Sequence, residues 1–155
     1  MVLVAKALNF IVDRAKPHEL EQVMSLLSIC SLTAVGMDMH FETYWVVRDK
    51  GRIIGSVGLE VYENSGMLRS FAVHPEYRNH GIGRALAQAL LEYAKSIGLK
   101  KVFLLTKTAP LYFARLGFEA IDESQVEPAV SDSLLFKEVC CEHEVIMVRG
   151  TEAIQ

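Results

Sequence analysis

The first half of the chain alternates short apolar runs with turn residues, which is the pattern of strands joined by tight turns. Asp49-Lys50-Gly51 is typical of a hairpin turn between two of these runs. Pro17 precedes apolar residues at helical spacing, which predicts a helix after the first strand. The predicted strands of this half lie at residues 9–15, 44–47, 53–59 and 67–73.

The second half contains the clearest helix, because apolar residues recur every three to four positions from Ile82 to Ile97. Gly98 stands where a left-handed residue ends a helix. The remaining predicted elements are strands at 101–106, 118–121 and 145–148, a helix capped by Thr108 and ended by Gly117, and a segment at 122–142 that is irregular or partly helical. This order predicts an α/β fold with a mixed sheet.

Composition limits the class of protein. With 155 residues we predict a single domain over residues 1–155, its core at about 8–149. The 51% hydrophobic and 23% charged residues are typical of a folded chain. A net charge of −3 offers no positive field, so we expect no nucleic-acid partner. We also expect no membrane partner, because no apolar run approaches the ~20 residues of a membrane helix.

The cysteines suggest a reduced, cytoplasmic protein. Cys30, Cys140 and Cys141 form no Cys-x-x-Cys pair, and adjacent cysteines are a poor basis for a disulfide framework. Zinc prefers four spaced ligands, so we expect no metal at Cys140, Cys141 and His143. We interpret at least one of the adjacent cysteines as a small buried apolar residue.

Residues 73–85 carry the chemistry. A predicted strand runs into a loop whose Gly81 and Gly83 open the long helix. The first amides of a helix have no partner within it, and the helix dipole adds about half a positive charge. Glycine lets a ligand approach those amides closely, and Arg78 adds a full charge. The segment therefore predicts a cradle for a phosphate or pyrophosphate.

Two familiar phosphate-binding loops do not fit this segment. A dinucleotide-binding turn needs Gly or Ala where Leu86 stands, and a P-loop needs Lys and Ser or Thr after its last glycine, where Arg84 and Ala85 stand. The form Arg-x-x-Gly-x-Gly is met by Arg78, Gly81 and Gly83. A glycine turn that merely starts a helix is the alternative.

Residues 73–83 resemble the coenzyme A pyrophosphate loop of the GNAT superfamily of acetyl-CoA-dependent N-acetyltransferases. Residues 111–118 resemble the later helix of that family, which ends in Gly-Phe. The resemblance implies a bent, mostly antiparallel sheet of about seven strands with about four helices. This sheet would be splayed between its fourth and fifth strands, where acetyl-CoA inserts. It also implies a small-molecule amine as partner and is compatible with a homodimer.

The resemblance also assigns residues to the cofactor. The backbone of Phe71 and Val73 would hold the pantetheine arm like an added strand, with the Val73 N–H polarising the acetyl carbonyl. We expect no cysteine near the predicted loop, which favours direct transfer over a covalent enzyme intermediate. The expected cofactor-binding residues are Phe71, Ala72, Val73, Arg78, Asn79, His80, Gly81, Ile82, Gly83 and Arg84.

A narrower resemblance concerns the substrate. Residues 58–60, 68–73 and 103–106 are similar to acetyltransferases of arsenic-resistance operons, and short N-acetylglutamate synthases share the Leu-Thr strand end. Both imply a small amino-acid-like acceptor, either glutamate-like or arsenic-containing. A non-catalytic acyl-CoA-binding module is the alternative, because Met67 and Phe113 stand where many members carry a glutamate base and a tyrosine acid.

Three residues remain as candidates for acceptor chemistry. Glu60 is the candidate base, and a solvent-facing strand position is its alternative. Tyr112, about 100° around the helix from Phe113, is the candidate acid, and a packing role is its alternative. Strand alternation places Arg69 on one face with Phe71 and Val73, where it would bind a substrate carboxylate. The alternative for Arg69 is an ion pair with Glu60 or Glu63.

Overall fold

The computed structural model describes residues 3–5 and 10–152. Its strands are β1 (Leu3–Ala5), β2 (Phe10–Arg14), β3 (Tyr44–Asp49), β4 (Arg52–Val61), β5 (Ser65–Val73), β6 (Lys101–Thr106), β7 (Glu119–Ile121) and β8 (Val145–Gly150). Its α-helices are α1 (Leu20–Ile29), α2 (Ile82–Ser96), α3 (Pro110–Arg115), α4 (Pro128–Ser131) and α5 (Leu134–Val139). Within this described part, no helix is both long and apolar enough to pass through a membrane.

The predicted α/β class with a mixed sheet is confirmed, and the elements differ in detail. The sheet gains the three-residue strand β1, and the segment at 122–142 folds into α4 and α5. Ala109 rather than Thr108 occupies the N-cap of α3, where its N–H donates to Thr106 Oγ1 at 3.1 Å. The first residue of the first predicted strand, Asn9, lies outside the described residues.

The chain divides into two compact units. The first contains the described residues up to Leu59 together with Ser70–Leu90, and its strands follow the order β1-β2-β3-β4-β5. The second contains Glu60–Arg69 and the described residues from Leu91 onward, with the order β5-β6-β8-β7. Both β4 and β5 therefore contribute residues to each unit.

The first unit has its core between α1 and the sheet. The buried residues of this cluster are Val23, Leu26, Leu27, Met37, Phe41, Tyr44, Val46, Ile53 and Ala72. An ion-pair network fixes the start of α1, because Arg48 on β3 holds both carboxylate oxygens of the buried Glu19, at 2.6 and 2.7 Å. Arg48 lowers the pKa of Glu19 by hydrogen bonding to its charged form.

Close approach to the sheet fixes the start of α2 as well. A Cβ on Gly55 of β4 would lie 3.1 Å from side-chain carbons of Ile82 and Leu86, which is tighter than ordinary contact. Glycine at this position thus lets the first turns of α2 pack directly on β4. The helix ends as predicted, with Gly98 in a left-handed conformation at φ +86°.

The second unit contains the parallel pair β5 and β6. Their register runs from Ser65↔Lys101 to Met67↔Phe103 and stops there, although β5 continues to Val73 and β6 to Thr106. Beyond β6, β8 pairs antiparallel with both β6 and β7. Because the additional strand β1 shifts the numbering by one, this parallel pair corresponds to the predicted fourth and fifth strands.

Ser70 interrupts β5 with a left-handed backbone, φ +55°. This conformation costs a non-glycine residue ~1–2 kcal/mol. Two hydrogen bonds hold it: Ser56 Oγ donates to Ser70 O at 2.7 Å, and Tyr44 Oη lies 2.6 Å from Ser70 Oγ. The fully buried Tyr44 ring lies against Gly58, where a Cβ would come within 2.2 Å of it. Gly58 therefore makes room for the ring that holds Ser70.

We predict that Gly58→Ala destabilises the protein by about 3 kcal/mol or more, because the buried Tyr44 ring cannot move away from the added methyl group. Equilibrium denaturation by urea measures this effect. Gly150→Ala is the matched control in a strand, since its nearest neighbour would be Lys100 O at 3.8 Å. Equal stability of the two variants would contradict the assignment.

Candidate functional site

The loop before α2 has an unusual backbone. Asn79 and Gly81 are both left-handed, at φ +68° and +80°. A Cβ on Gly81 would meet nothing within 4 Å, so its backbone conformation rather than lack of space favours glycine. The N–H of Ala85 donates to Gly81 O at 3.1 Å, which leaves the amides of residues 82–84 ahead of the first helical hydrogen bond. These amides and the helix dipole suit an anion.

Arg78 is held beside the end of β5. Its Nε donates to Val73 O at 3.0 Å, and its Nη2 lies 3.8 Å from Cys30 Sγ. The same sulfur lies 3.7 Å from Val73 O. Cys30 follows the last residue of α1 and is half-buried. The expectation that no cysteine lies near the loop is therefore wrong, because α1 brings Cys30 to it from 48 residues away.

Residues at the end of β3 and in β4 contact the first residues of the loop. Tyr77 Oη donates to Asp49 Oδ2 at 2.5 Å, which raises the pKa of Tyr77 because the carboxylate favours the protonated phenol. Arg52 Nη2 lies 2.9 Å from His74 Nε2. The N–H of His74 also donates to Ile54 O at 2.8 Å. No local sequence pattern signals these contacts, although Asp49 belongs to the predicted hairpin turn.

The other predicted cofactor residues differ in exposure. Ala72 and Ile82 are buried, whereas Phe71, Val73, His80 and Gly83 are half-buried and Arg84 is exposed. The predicted residues from 78 to 84 all lie in the loop and the first turn of α2. Phe71, Ala72 and Val73 form the end of β5 that leads into it.

A second group of polar residues lies in the second unit. Glu60 at the end of β4 and Arg69 on β5 are 2% and 4% exposed, and Arg69 Nη1 donates to Glu60 Oε2 at 2.7 Å. The solvent-facing alternative for Glu60 is therefore wrong. For Arg69 the structure has the ion pair with Glu60 rather than one with Glu63.

Tyr62 joins this pair and was missed by the sequence analysis. Its hydroxyl donates to Glu60 Oε1 at 2.5 Å, and it also hydrogen-bonds Ser133 at the N-cap of α5. Burial and the neighbouring Glu60 carboxylate raise the pKa of Tyr62. Tyr62 follows the last residue of β4, and no periodic pattern in the sequence links it to Glu60.

Tyr112 is half-buried on α3 and packs edge-on against Phe113, with ring centroids 5.5 Å apart. Phe113 is buried and meets Phe118 in the same way at 5.9 Å. These contacts agree with the packing alternative for Tyr112. Its role as an acid stays a prediction.

Cys140 and Cys141 are both half-buried, so the expectation that one is a buried apolar residue is wrong. A carboxylate oxygen of Glu123 lies within 4.8 Å of both sulfur atoms. Two adjacent residues and one exposed carboxylate supply fewer ligands than the four of a structural zinc site.

Comparison with known proteins identifies the family. The model of the acetyltransferase (GNAT) family matches residues 6–118, which is most of the chain and includes the loop before α2. The chain belongs to the GNAT acetyltransferase family. Its resemblance to the family, inferred from residues 73–83 and 111–118, is confirmed at this level.

Several GNAT relatives carry the name amino-acid acetyltransferase. The one from Mycobacterium tuberculosis is 34% identical over 97 residues, covering 60% of this chain and 55% of the relative. The one from Pasteurella multocida is 33% identical over 85 residues, covering 54% of this chain and 19% of the relative. The matched part thus spans about half of the first relative and a fifth of the second.

Solved GNAT structures share the fold. A Mycobacterium tuberculosis protein in complex with CoA and NLQ superposes with a TM-score of 0.76 at 25% identity, covering 90% of this chain and 98% of that one. N-acetylglutamate synthase from Neisseria gonorrhoeae, complexed with coenzyme A and N-acetyl-glutamate, gives 0.78 at 18% identity, covering 91% of this chain and 35% of that one.

We predict that Tyr77→Phe weakens coenzyme A binding roughly fivefold, because the loop loses its hydrogen bond to Asp49. Asp49→Asn removes the charge of the same contact and should weaken binding as well. Isothermal titration with coenzyme A measures both. Tyr93→Phe on α2 is the control with the same chemical change, and unaltered affinity in both Tyr77 and Asp49 variants would contradict the prediction.

Proposed function

We propose that this chain is an acetyl-CoA-dependent N-acetyltransferase that moves an acetyl group directly to the amine of a small amino-acid-like substrate. The junction of β5 and α2 carries the proposal. There, Arg78, a left-handed loop and the amides of residues 82–84 form an anion cradle in a chain that matches the GNAT family model. A pyrophosphate fits this cradle because it needs both charge and several N–H donors.

The cofactor arrangement is proposed as the family suggests. The loop from Arg78 to Arg84 holds the pyrophosphate, and the backbone of Phe71, Ala72 and Val73 runs beside the pantetheine arm. The end of the β5–β6 register at Met67↔Phe103 supports this arrangement, since the remainder of β5 is not paired by that register. The Val73 N–H is proposed to polarise the acetyl carbonyl.

Direct transfer remains the proposal although Cys30 lies near the loop. Cys30 Sγ contacts Arg78, which is assigned to the pyrophosphate. The thioester stands at the opposite end of the pantetheine arm from the pyrophosphate. A covalent acetyl intermediate on Cys30 would therefore need a different placement of the cofactor.

A low-pKa amine suits the acceptor site best. A peptide-type α-amine with pKa ~8 is partly neutral near pH 7, whereas a lysine side chain at ~10.4 is almost fully charged. The difference corresponds to ~3 kcal/mol that a strong base would have to supply. Met67 and Phe113 stand where many family members carry a glutamate base and a tyrosine acid, so this chain lacks the usual strong base. The name of the relatives, amino-acid acetyltransferase, agrees with an α-amine acceptor.

Arg69 stays the proposed specificity residue, with a condition set by its surroundings. Its guanidinium is buried and bound to Glu60, so an acidic substrate group reaches it only by displacing that carboxylate. A glutamate-like acceptor is the first candidate and an arsenic-containing amino acid the second. The cytoplasmic location and the homodimer expected from the sequence stay predictions.

We predict that coenzyme A release from acetyl-CoA occurs with an acidic amino acid and not with a lysine peptide. The assay panel holds glutamate, other amino acids, glutamate-like phosphinic and arsinic acids, polyamines and a lysine peptide. Arg78→Ala should raise the KM for acetyl-CoA because the pyrophosphate loses a charged partner.

Each outcome has a distinct meaning. Turnover of the lysine peptide alone would contradict the proposed acceptor class. Binding of coenzyme A without turnover on any amine would favour the non-catalytic acyl-CoA-binding module. Equal KM values for acetyl-CoA in the wild type and Arg78→Ala would remove Arg78 from the cofactor site.

A further inference from the structure

Glu60 is an acidic group with two strong partners inside the second unit. Its Oε2 accepts from Arg69 and its Oε1 from the hydroxyl of Tyr62, at 2.7 and 2.5 Å. With 2% exposure the carboxylate itself hardly meets solvent, whereas Tyr62 is half-buried. Of these two residues, Tyr62 is therefore the one that solvent partly reaches.

A buried ion pair is a poor way to stabilise a fold, because its desolvation offsets most of its Coulomb attraction. Apolar residues of similar size would serve packing at least as well at Glu60 and Arg69. The hydrogen-bonded line from Arg69 through Glu60 to Tyr62 therefore calls for a chemical explanation.

We propose that Tyr62 relays the proton of the acceptor amine to Glu60. In this step an N–H bond of the substrate ammonium breaks and the proton passes to the Tyr62 oxygen. The O–H bond of Tyr62 breaks at the same time, and that proton passes to Glu60 Oε1. The amine becomes neutral, Tyr62 remains a phenol and Glu60 becomes a carboxylic acid. The inference rests on the proposed function and deepens it.

The contacts of Tyr62 favour such a relay. A donor–acceptor distance of 2.5 Å to Glu60 is a short path for the outgoing proton. Because burial and Glu60 raise the pKa of Tyr62, its hydroxyl keeps the proton that it has to pass on. Ser133 at the N-cap of α5 also hydrogen-bonds Tyr62 and so limits the orientation of the phenol.

The position of the line along the strands agrees with the cofactor arrangement proposed above. Arg69 stands two residues before Phe71 in β5, which is ~7 Å along a strand. Phe71 is proposed to lie beside the pantetheine arm. Glu60 and Tyr62, bound to Arg69 in one line, therefore stand next along β5 to the segment that is proposed to hold the cofactor.

The decisive variant is Tyr62→Phe, because it removes the hydroxyl and leaves the Glu60–Arg69 ion pair in place. We expect kcat with the best acceptor of the panel to fall about 100-fold at pH 7, with the KM for acetyl-CoA unchanged. The loss should shrink as the pH rises toward the pKa of the amine, since the acceptor then loses its proton to solvent. Tyr93→Phe on α2, with the same chemical change, should keep the wild-type kcat and pH profile.

A second variant tests whether the two residues act as a unit. Glu60→Gln should give the same defect, and the double variant with Tyr62→Phe should be no slower than either single one. Far-UV circular dichroism and coenzyme A titration verify that each variant is folded and binds the cofactor.

Two results would overturn the relay. One is a Tyr62→Phe enzyme with wild-type kcat across the pH range. The other is a loss of kcat that is equal at every pH, which indicates a structural role for Tyr62. If the wild type binds coenzyme A but turns over no amine, the proposed function itself fails and the relay fails with it.

Discussion

The left-handed backbone of Ser70, held by Tyr44 and Ser56, is the constraint at the centre of β5. It costs a non-glycine residue ~1–2 kcal/mol, so its two hydrogen bonds and the space that Gly58 leaves for the Tyr44 ring are needed to keep it. Arg69, immediately before it, is buried and bound to Glu60, whereas Phe71 and Val73, after it, are half-buried.

The loop before α2 is held by contacts from three separate elements. Cys30 at the end of α1 meets Arg78, the β3–β4 turn meets Tyr77, and Gly55 of β4 admits the first turns of α2. A helix N-terminus attracts an anion only where its amides are held in place. The ion pair between Glu19 and Arg48, which fixes the other end of α1, therefore also contributes to the position of Cys30.

Periodicity and turn residues were sufficient to predict β6 with its bounds, α2 to within a residue and the loop that opens it. These features depend on neighbours in the sequence. The contacts of Cys30 with Val73 and of Asp49 with Tyr77 join residues 43 and 28 positions apart, and no local pattern signals them. The left-handed backbone of Ser70 also has no sequence signal, because serine adopts this conformation only rarely.

Met67 and Phe113, which stand where many family members carry a glutamate and a tyrosine, pack against other apolar or weakly polar groups in this structure. Met67 is buried, and its sulfur lies 4.0 Å from Ser133 Oγ, so this position packs α5 against β5. Phe113 is likewise part of an aromatic cluster with Phe118. The same serine that contacts Met67 also hydrogen-bonds Tyr62. The apolar packing at Met67 and the hydrogen bond to Tyr62 thus meet at one residue, Ser133.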